Sequence, residues 1–77
     1  MAKKYSDFNF AGILKDHREA SGKLQKEVAG YLGIKLSTYQ SYEENRAVPR
    51  IETIIKLAKF YGVTIDAFLY QLPELQS

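Results

Sequence analysis

The chain has 77 residues, 26% of them charged and 45% hydrophobic, with a net charge of +2 and no cysteine. That length makes one domain over residues 1–77, and so small a core must be shared among several elements. The absence of cysteine excludes a disulfide framework and a thiolate metal site. The basic start MAKKYSDFNF lacks the apolar stretch of a signal peptide, and no apolar run reaches transmembrane length.

A soluble cytoplasmic protein without a membrane partner is expected. No repeat or linker interrupts the chain. Asn9 can cap a first helix with Phe10, Ile13 and Leu14 on its apolar side, running to a stop at Gly22. A second helix is expected over about 25–32, with Val28, Ala29 and Leu32 on one face. Gly33 marks a tight turn, where a residue without a side chain adopts the left-handed conformation freely. A third helix follows over about 36–44, with Tyr39 and Tyr42 on one face, and Ile34 tying it to the core. Asn45 suits its end. Arg46 to Arg50 reads as a loop, because Pro49 bars a helix through it. A fourth helix over about 51–61 presents Ile51, Ile54, Leu57, Ala58 and Tyr61 at helical spacing, and Gly62 ends it. Thr64 can cap a short fifth helix with Asp66 in its first turn and Ile65, Phe68 and Leu69 facing inward. The fold class is therefore all-α, with a core over about 9–70 and a tail over 71–77.

The stretch from Gln25 to Glu44 has the spacing of a helix-turn-helix, the unit that places its second helix in a DNA major groove. The charge distribution suits a polyanion. Residues 23–50 hold Lys23, Lys26, Lys35, Arg46 and Arg50 against Glu27, Glu43 and Glu44, a local excess of +2. Ordinary solvated surface reads the same charges equally well.

The residues from 13 to 69 resemble the lambda-repressor-like, Cro and phage-repressor family of helix-turn-helix domains. The resemblance is carried by Arg18, Gly22, Gln25, Val28-Ala29, Leu32-Gly33-Ile34, Ser37-Thr38, Tyr42-Glu43, Pro49, Leu57-Ala58, Gly62-Val63, Asp66 and Leu69. It implies a compact bundle of five short helices and a sequence-specific transcriptional regulator, a repressor that occupies operator DNA through the helix at about 36–44. It implies double-stranded DNA as partner and no cofactor or small-molecule ligand. In that pattern Gln25 would bond a backbone phosphate and brace the recognition helix. Leu36, Ser37, Gln40 and Ser41 would lie closest to base edges, and Thr38, Arg46 and Arg50 would meet phosphates. Arg18 and Glu43 would form an internal salt bridge between the first and third helices. Among the base-edge candidates, Gln40 carries the most information, because an amide pairs with adenine through two hydrogen bonds. Arg46 and Arg50 would add salt-sensitive affinity without sequence information.

The chain departs from the family at two helix starts. Lys23-Leu24 and Lys35-Leu36 stand where hydroxyl caps are usual, each worth about 1 kcal/mol. Lys23 and Lys35 could supply phosphate contacts in compensation, and Leu24 and Leu36 could read apolar groove features. Alternatively, the leucines form a patch that binds protein. An antitoxin of the same fold, or a domain that has lost DNA binding, is then the competing reading. His17 stands at an apolar core position, where a hydrogen-bonded residue at the core edge is expected.

An enzyme is not expected. One histidine and no cysteine cannot build a zinc site. Glu43 and Glu44 diverge by about 100° on a helix and cannot act as a carboxylate pair. Ser37 and Ser41 have no base beside them. Phe60, Tyr61, Phe68, Leu69, Tyr70, Leu72 and Leu75 are many apolar groups for the end of so small a core. The fourth and fifth helices and the tail are therefore the expected homodimer surface, since this class reads two half-sites.

Overall fold

Asn9 starts the first helix by accepting a hydrogen bond at its side-chain oxygen from the Gly12 amide, 3.2 Å away. From there the computed structural model, which describes residues 3–71, runs through α1 (Phe10–Ala20), α2 (Gln25–Leu32), α3 (Leu36–Glu43), α4 (Ile51–Tyr61) and α5 (Ile65–Tyr70). No strand occurs among the described residues. The four helices α1 to α4 end alike, on a residue at positive φ: Gly22, Gly33, Asn45 and Gly62. In each case the next amide reaches back five residues, as Ile34 does to the Ala29 carbonyl at 3.1 Å. This closure satisfies carbonyls that the helix leaves unpaired. It also turns the chain sharply, and between α2 and α3 it leaves only Gly33, Ile34 and Lys35 as connection.

The helices pack α2 on α3 and α4, α1 on α3 and α5, and α4 on α5. They enclose Ile13, Leu14, Val28, Ala29, Leu32, Tyr39, Ile54, Leu57, Ala58 and Phe68, all buried. Ala29 is 3% exposed, and its single methyl lets α2 lie close to its neighbours. The whole measures 32 × 27 × 18 Å.

Two expectations fail. Ile51 and Ile65 face solvent, at 45% and 37% exposure. Each is the first residue of its helix. Helical side chains lean toward the N-terminus, so at the first position they project past the helix end and are buried only where another segment covers them, as Tyr5 and Phe8 cover Phe10 at the start of α1. The N-terminal segment also joins the fold earlier than position 9. Tyr5 to Asp7 forms one 3-10 turn, and the Tyr5 hydroxyl donates to the Pro49 carbonyl at 2.5 Å. The Tyr5 ring lies 4.7 Å from Phe10, and Phe8 sits edge-on to Tyr70 at 5.1 Å. His17 is half-buried. Its ring stacks on Phe68 at 4.4 Å, and Nε2 lies 3.1 Å from the Phe68 carbonyl.

Candidate nucleic-acid interface

α3 is anchored from below by Tyr39, which is fully buried and edge-on to Tyr42. The opposite side is open. Leu36 is 41% exposed, Lys35 and Ser37 are exposed, and Thr38, Gln40 and Ser41 are half-buried. The structure thus brings Leu36, Ser37, Gln40 and Ser41 to one outward strip, with Lys35 at its start. The Ser41 hydroxyl donates to the Thr38 carbonyl at 2.6 Å, so only its acceptor capacity is left for a partner.

The two missing caps have different consequences. Leu24 occupies the cap of α2 with no acceptor to offer, but its own amide donates to Glu27 Oε1 at 2.7 Å. Half of a capping box therefore survives. Lys35 caps α3 with no side-chain bond at all. Leu24 is 56% exposed, so neither a cap nor a core contact accounts for it.

Behind α3 lies a polar cluster built on the Arg18–Glu43 pair that the family resemblance implied, with further partners that local sequence patterns do not reveal. Arg18 grips Glu43 with two bonds, Nε to Oε2 at 2.6 Å and Nη2 to Oε1 at 3.0 Å. The two side chains are 13% and 3% exposed. Arg18 Nη1 also donates to the Lys23 carbonyl at 3.0 Å, tying the end of α1 to the approach of α2. The Tyr39 hydroxyl and the Gln25 amide complete the set of donors on the Glu43 carboxylate. Burial pushes the Glu43 pKa up, but the bonds from Arg18, Tyr39 and Gln25 outweigh it and hold the carboxyl below its ordinary value. Burial and the bonded carboxylate push the Tyr39 hydroxyl far up, so it stays protonated and donates. Gln25 thus faces inward, and Gln40 donates to its carbonyl oxygen at 3.2 Å. The signal for these contacts was weak in the sequence, because Gln25 and Glu43 are 18 residues apart and meet only when α2 crosses α3.

Exposed cations stand at three helix starts, and the Lys23 ammonium lies over the Phe60 ring, 5.7 Å from its centroid. Lys23 and Lys26 stand at the start of α2, Lys35 at the start of α3, and Arg50 at the start of α4, all exposed. Arg46 pairs with Glu44 at 2.8 Å, with both side chains more than half exposed. An exposed pair of this kind is worth little, about 0–1 kcal/mol, and leaves the guanidinium exchangeable.

The helix-turn-helix family matches residues 14–68. The chain is 43% identical over 56 residues to the cryptic phage CTXphi transcriptional repressor RstR of Vibrio cholerae, covering 73% of this chain and 50% of that protein. It is 34% identical over 62 residues to an uncharacterized HTH-type transcriptional regulator of Methanocaldococcus jannaschii, covering 79% of this chain and 94% of that one. Among solved structures, a transcriptional regulator from Listeria innocua superposes with a TM-score of 0.72 at 25% identity, over 87% of this chain and 63% of that chain. The chain spans about half the length of the Vibrio relatives it matches. With the matched span running from Leu14 to Phe68 and the fold agreeing, the chain belongs to the helix-turn-helix family of the Cro and phage-repressor type.

Proposed function

We propose that this protein is a sequence-specific DNA-binding transcriptional regulator that represses by occupying operator DNA, with α3 in the major groove. The observation that carries the reading is the open face of α3. A short helix stands on a buried Tyr39, shows Leu36 and Ser37 outward with half-buried Gln40 beside them, and begins at the exposed Lys35, while the starts of α2 and α4 carry further exposed cations. A groove about 12 Å wide admits one helix, and flanking cations meet the phosphate rails on either side. Gln40 and Ser41 would read base edges, and Leu36 would touch a thymine methyl. Gln25, Lys35, Thr38, Arg46 and Arg50 would serve the backbone. Gln25 has one N–H committed to Glu43 and a second free for a phosphate.

Occupancy needs binding alone, so the reading calls for neither catalysis nor a cofactor. No helix among the described residues is long and apolar enough to cross a membrane. A cytoplasmic, nucleoid-associated protein follows from the proposed partner. One helix reads few base pairs, and a homodimer through α4, α5 and the tail would pair two half-sites about one DNA turn apart. Residues 72–77, including Leu72 and Leu75, lie outside the described residues. Exposed Ile65 and Tyr70 on α5 support this surface.

Selection of bound duplexes from a random pool tests the function. The expected product is a two-fold symmetric site bound with strongly salt-dependent affinity. Retention of no duplex, even at low salt, would remove the reading.

A further inference from the structure

The Glu43 carboxylate accepts on both oxygens. Oε2 takes Arg18 Nε and the Tyr39 hydroxyl, and Oε1 takes Arg18 Nη2 and Gln25 Nε2, the last at 3.0 Å. An ionised carboxylate can only accept. Whatever Gln25 turns toward it must therefore be the NH₂ end of its amide. The carbonyl end of the same planar group then faces the other way, and there it accepts from Gln40 Nε2 at 3.2 Å. Donor and acceptor order is thus handed on from Glu43 to Gln25 to Gln40. A glutamine amide without partners can present either end, since rotation by half a turn exchanges O and N. Gln40 is not free in this way. Turning it over would set its carbonyl against the Gln25 carbonyl, two acceptors with no proton between them. One N–H and the oxygen of Gln40 stay unspent.

We propose that Glu43 is a positioning residue for base recognition: acting through Gln25, its carboxylate holds the Gln40 amide in one orientation, so that Gln40 offers donor and acceptor to the groove in one order. The inference rests on the reading of α3 as a groove-reading helix. The matching base edge has an acceptor beside a donor, which in the major groove is N7 and N6 of adenine. No neighbour on the strip offers a donor and an acceptor together in a fixed order: Ser41, its proton given to the Thr38 carbonyl, can only accept. Leu36 offers only apolar contact, and the Ser37 hydroxyl rotates to suit its partner. The oriented part of the reading therefore sits on Gln40, and its direction is set behind α3, by a residue that never meets DNA.

The test compares selected sites for the full chain, Gln25→Leu, Gln40→Ala and the double variant. Gln25→Leu leaves the Arg18–Glu43 pair in place and removes the amide between it and Gln40, together with the proposed phosphate contact of Gln25, whose loss lowers affinity for all duplexes alike. The wild-type site should contain one base pair per half-site whose preference Gln40→Ala abolishes. Gln25→Leu should weaken that one preference about tenfold, within the range of a bidentate contact, and leave the other positions unchanged. The double variant should match Gln40→Ala in its base preferences. A Glu43→Gln protein that remains folded by circular dichroism should show the same selective loss. If Gln25→Leu keeps the preference at that base pair, with or without the uniform loss of affinity that follows from its phosphate contact, the inference is overturned while DNA binding stands. A wild-type chain that selects no duplex overturns the DNA reading and this inference with it.

Discussion

Glu43 accepts four side-chain hydrogen bonds, more than any other side chain among the described residues. Its side chain is 3% exposed, and an ionised group so deep survives only because every lone pair has a donor. Arg18→Ala strands that charge, which should cost about 3–5 kcal/mol and lower the Tm by more than about 10 °C in calorimetry. An unchanged Tm would show that the pair contributes nothing net. The same carboxylate gives a pH dependence of known sign. Its folded pKa lies below the ordinary value of 4.5, so its contribution is complete above that pH. It is lost as the pH falls through the lower, folded value. Denaturant titrations at pH 7 and pH 3 should therefore show a steeper acid loss for wild type than for Glu43→Gln. Leu24 offers the opposite opportunity. It is exposed, and Glu27 already supplies the returning half of a capping box. Leu24→Ser should complete the box and raise the unfolding free energy by about 1 kcal/mol, read from the denaturant midpoint.

Among the elements, the N-terminal turn contributes more than the sequence suggested. The aromatic residues Tyr5 and Phe8 were visible there, and an apolar residue directly before a cap such as Asn9 is a known staple signal. The contact that matters is longer in range. The Tyr5 hydroxyl closes onto the carbonyl of buried Pro49, 44 residues away, in the loop that leads into α4. Tyr5→Phe should cost about 0.5–1.5 kcal/mol, the usual net worth of one such bond, with the Pro49 carbonyl left short of a donor. Thermal melts monitored by far-UV circular dichroism measure this, and an unchanged melt would show that water replaces the hydroxyl fully. Helix boundaries, in contrast, were almost wholly legible. The end signals at Gly22, Gly33, Asn45 and Gly62 are local, since each is set by one residue able to hold a positive φ. The two misread isoleucines stand where a periodic count continues but the neighbouring surface does not.

For the molecule as a whole, the proposed function turns on charge placement more than on net charge. A total of +2 is too small to direct binding. Helix starts at residues 25, 36 and 51 bring Lys23, Lys26, Lys35 and Arg50 to exposed positions, and each cation there can replace one condensed counterion. Arg50→Ala should weaken binding to all duplexes alike and flatten the dependence of log Kd on log salt by about one ion per protomer. Loss of selectivity at one base pair, with the salt slope unchanged, would instead place Arg50 at a base edge. Fluorescence anisotropy at four or five salt concentrations separates these outcomes.

Taken by itself, the order of residues determined the class, the five α-helices, their caps and stops, and the family. These follow from interactions within four or five positions along the chain and from spacing that a helix must obey. It also ranked Gln40 above its neighbours as a reader of bases, because only an amide there can make two hydrogen bonds to one base at once. Tertiary structure decided what the amide of Gln25 faces, how the Glu43 carboxylate is satisfied, and which apolar side chains lie beyond the core. Those outcomes depend on the crossing of α2 over α3 and on the packing of α1 behind them. A buried polar group is settled by the partners that arrive from other elements, and their arrival is a property of the folded whole.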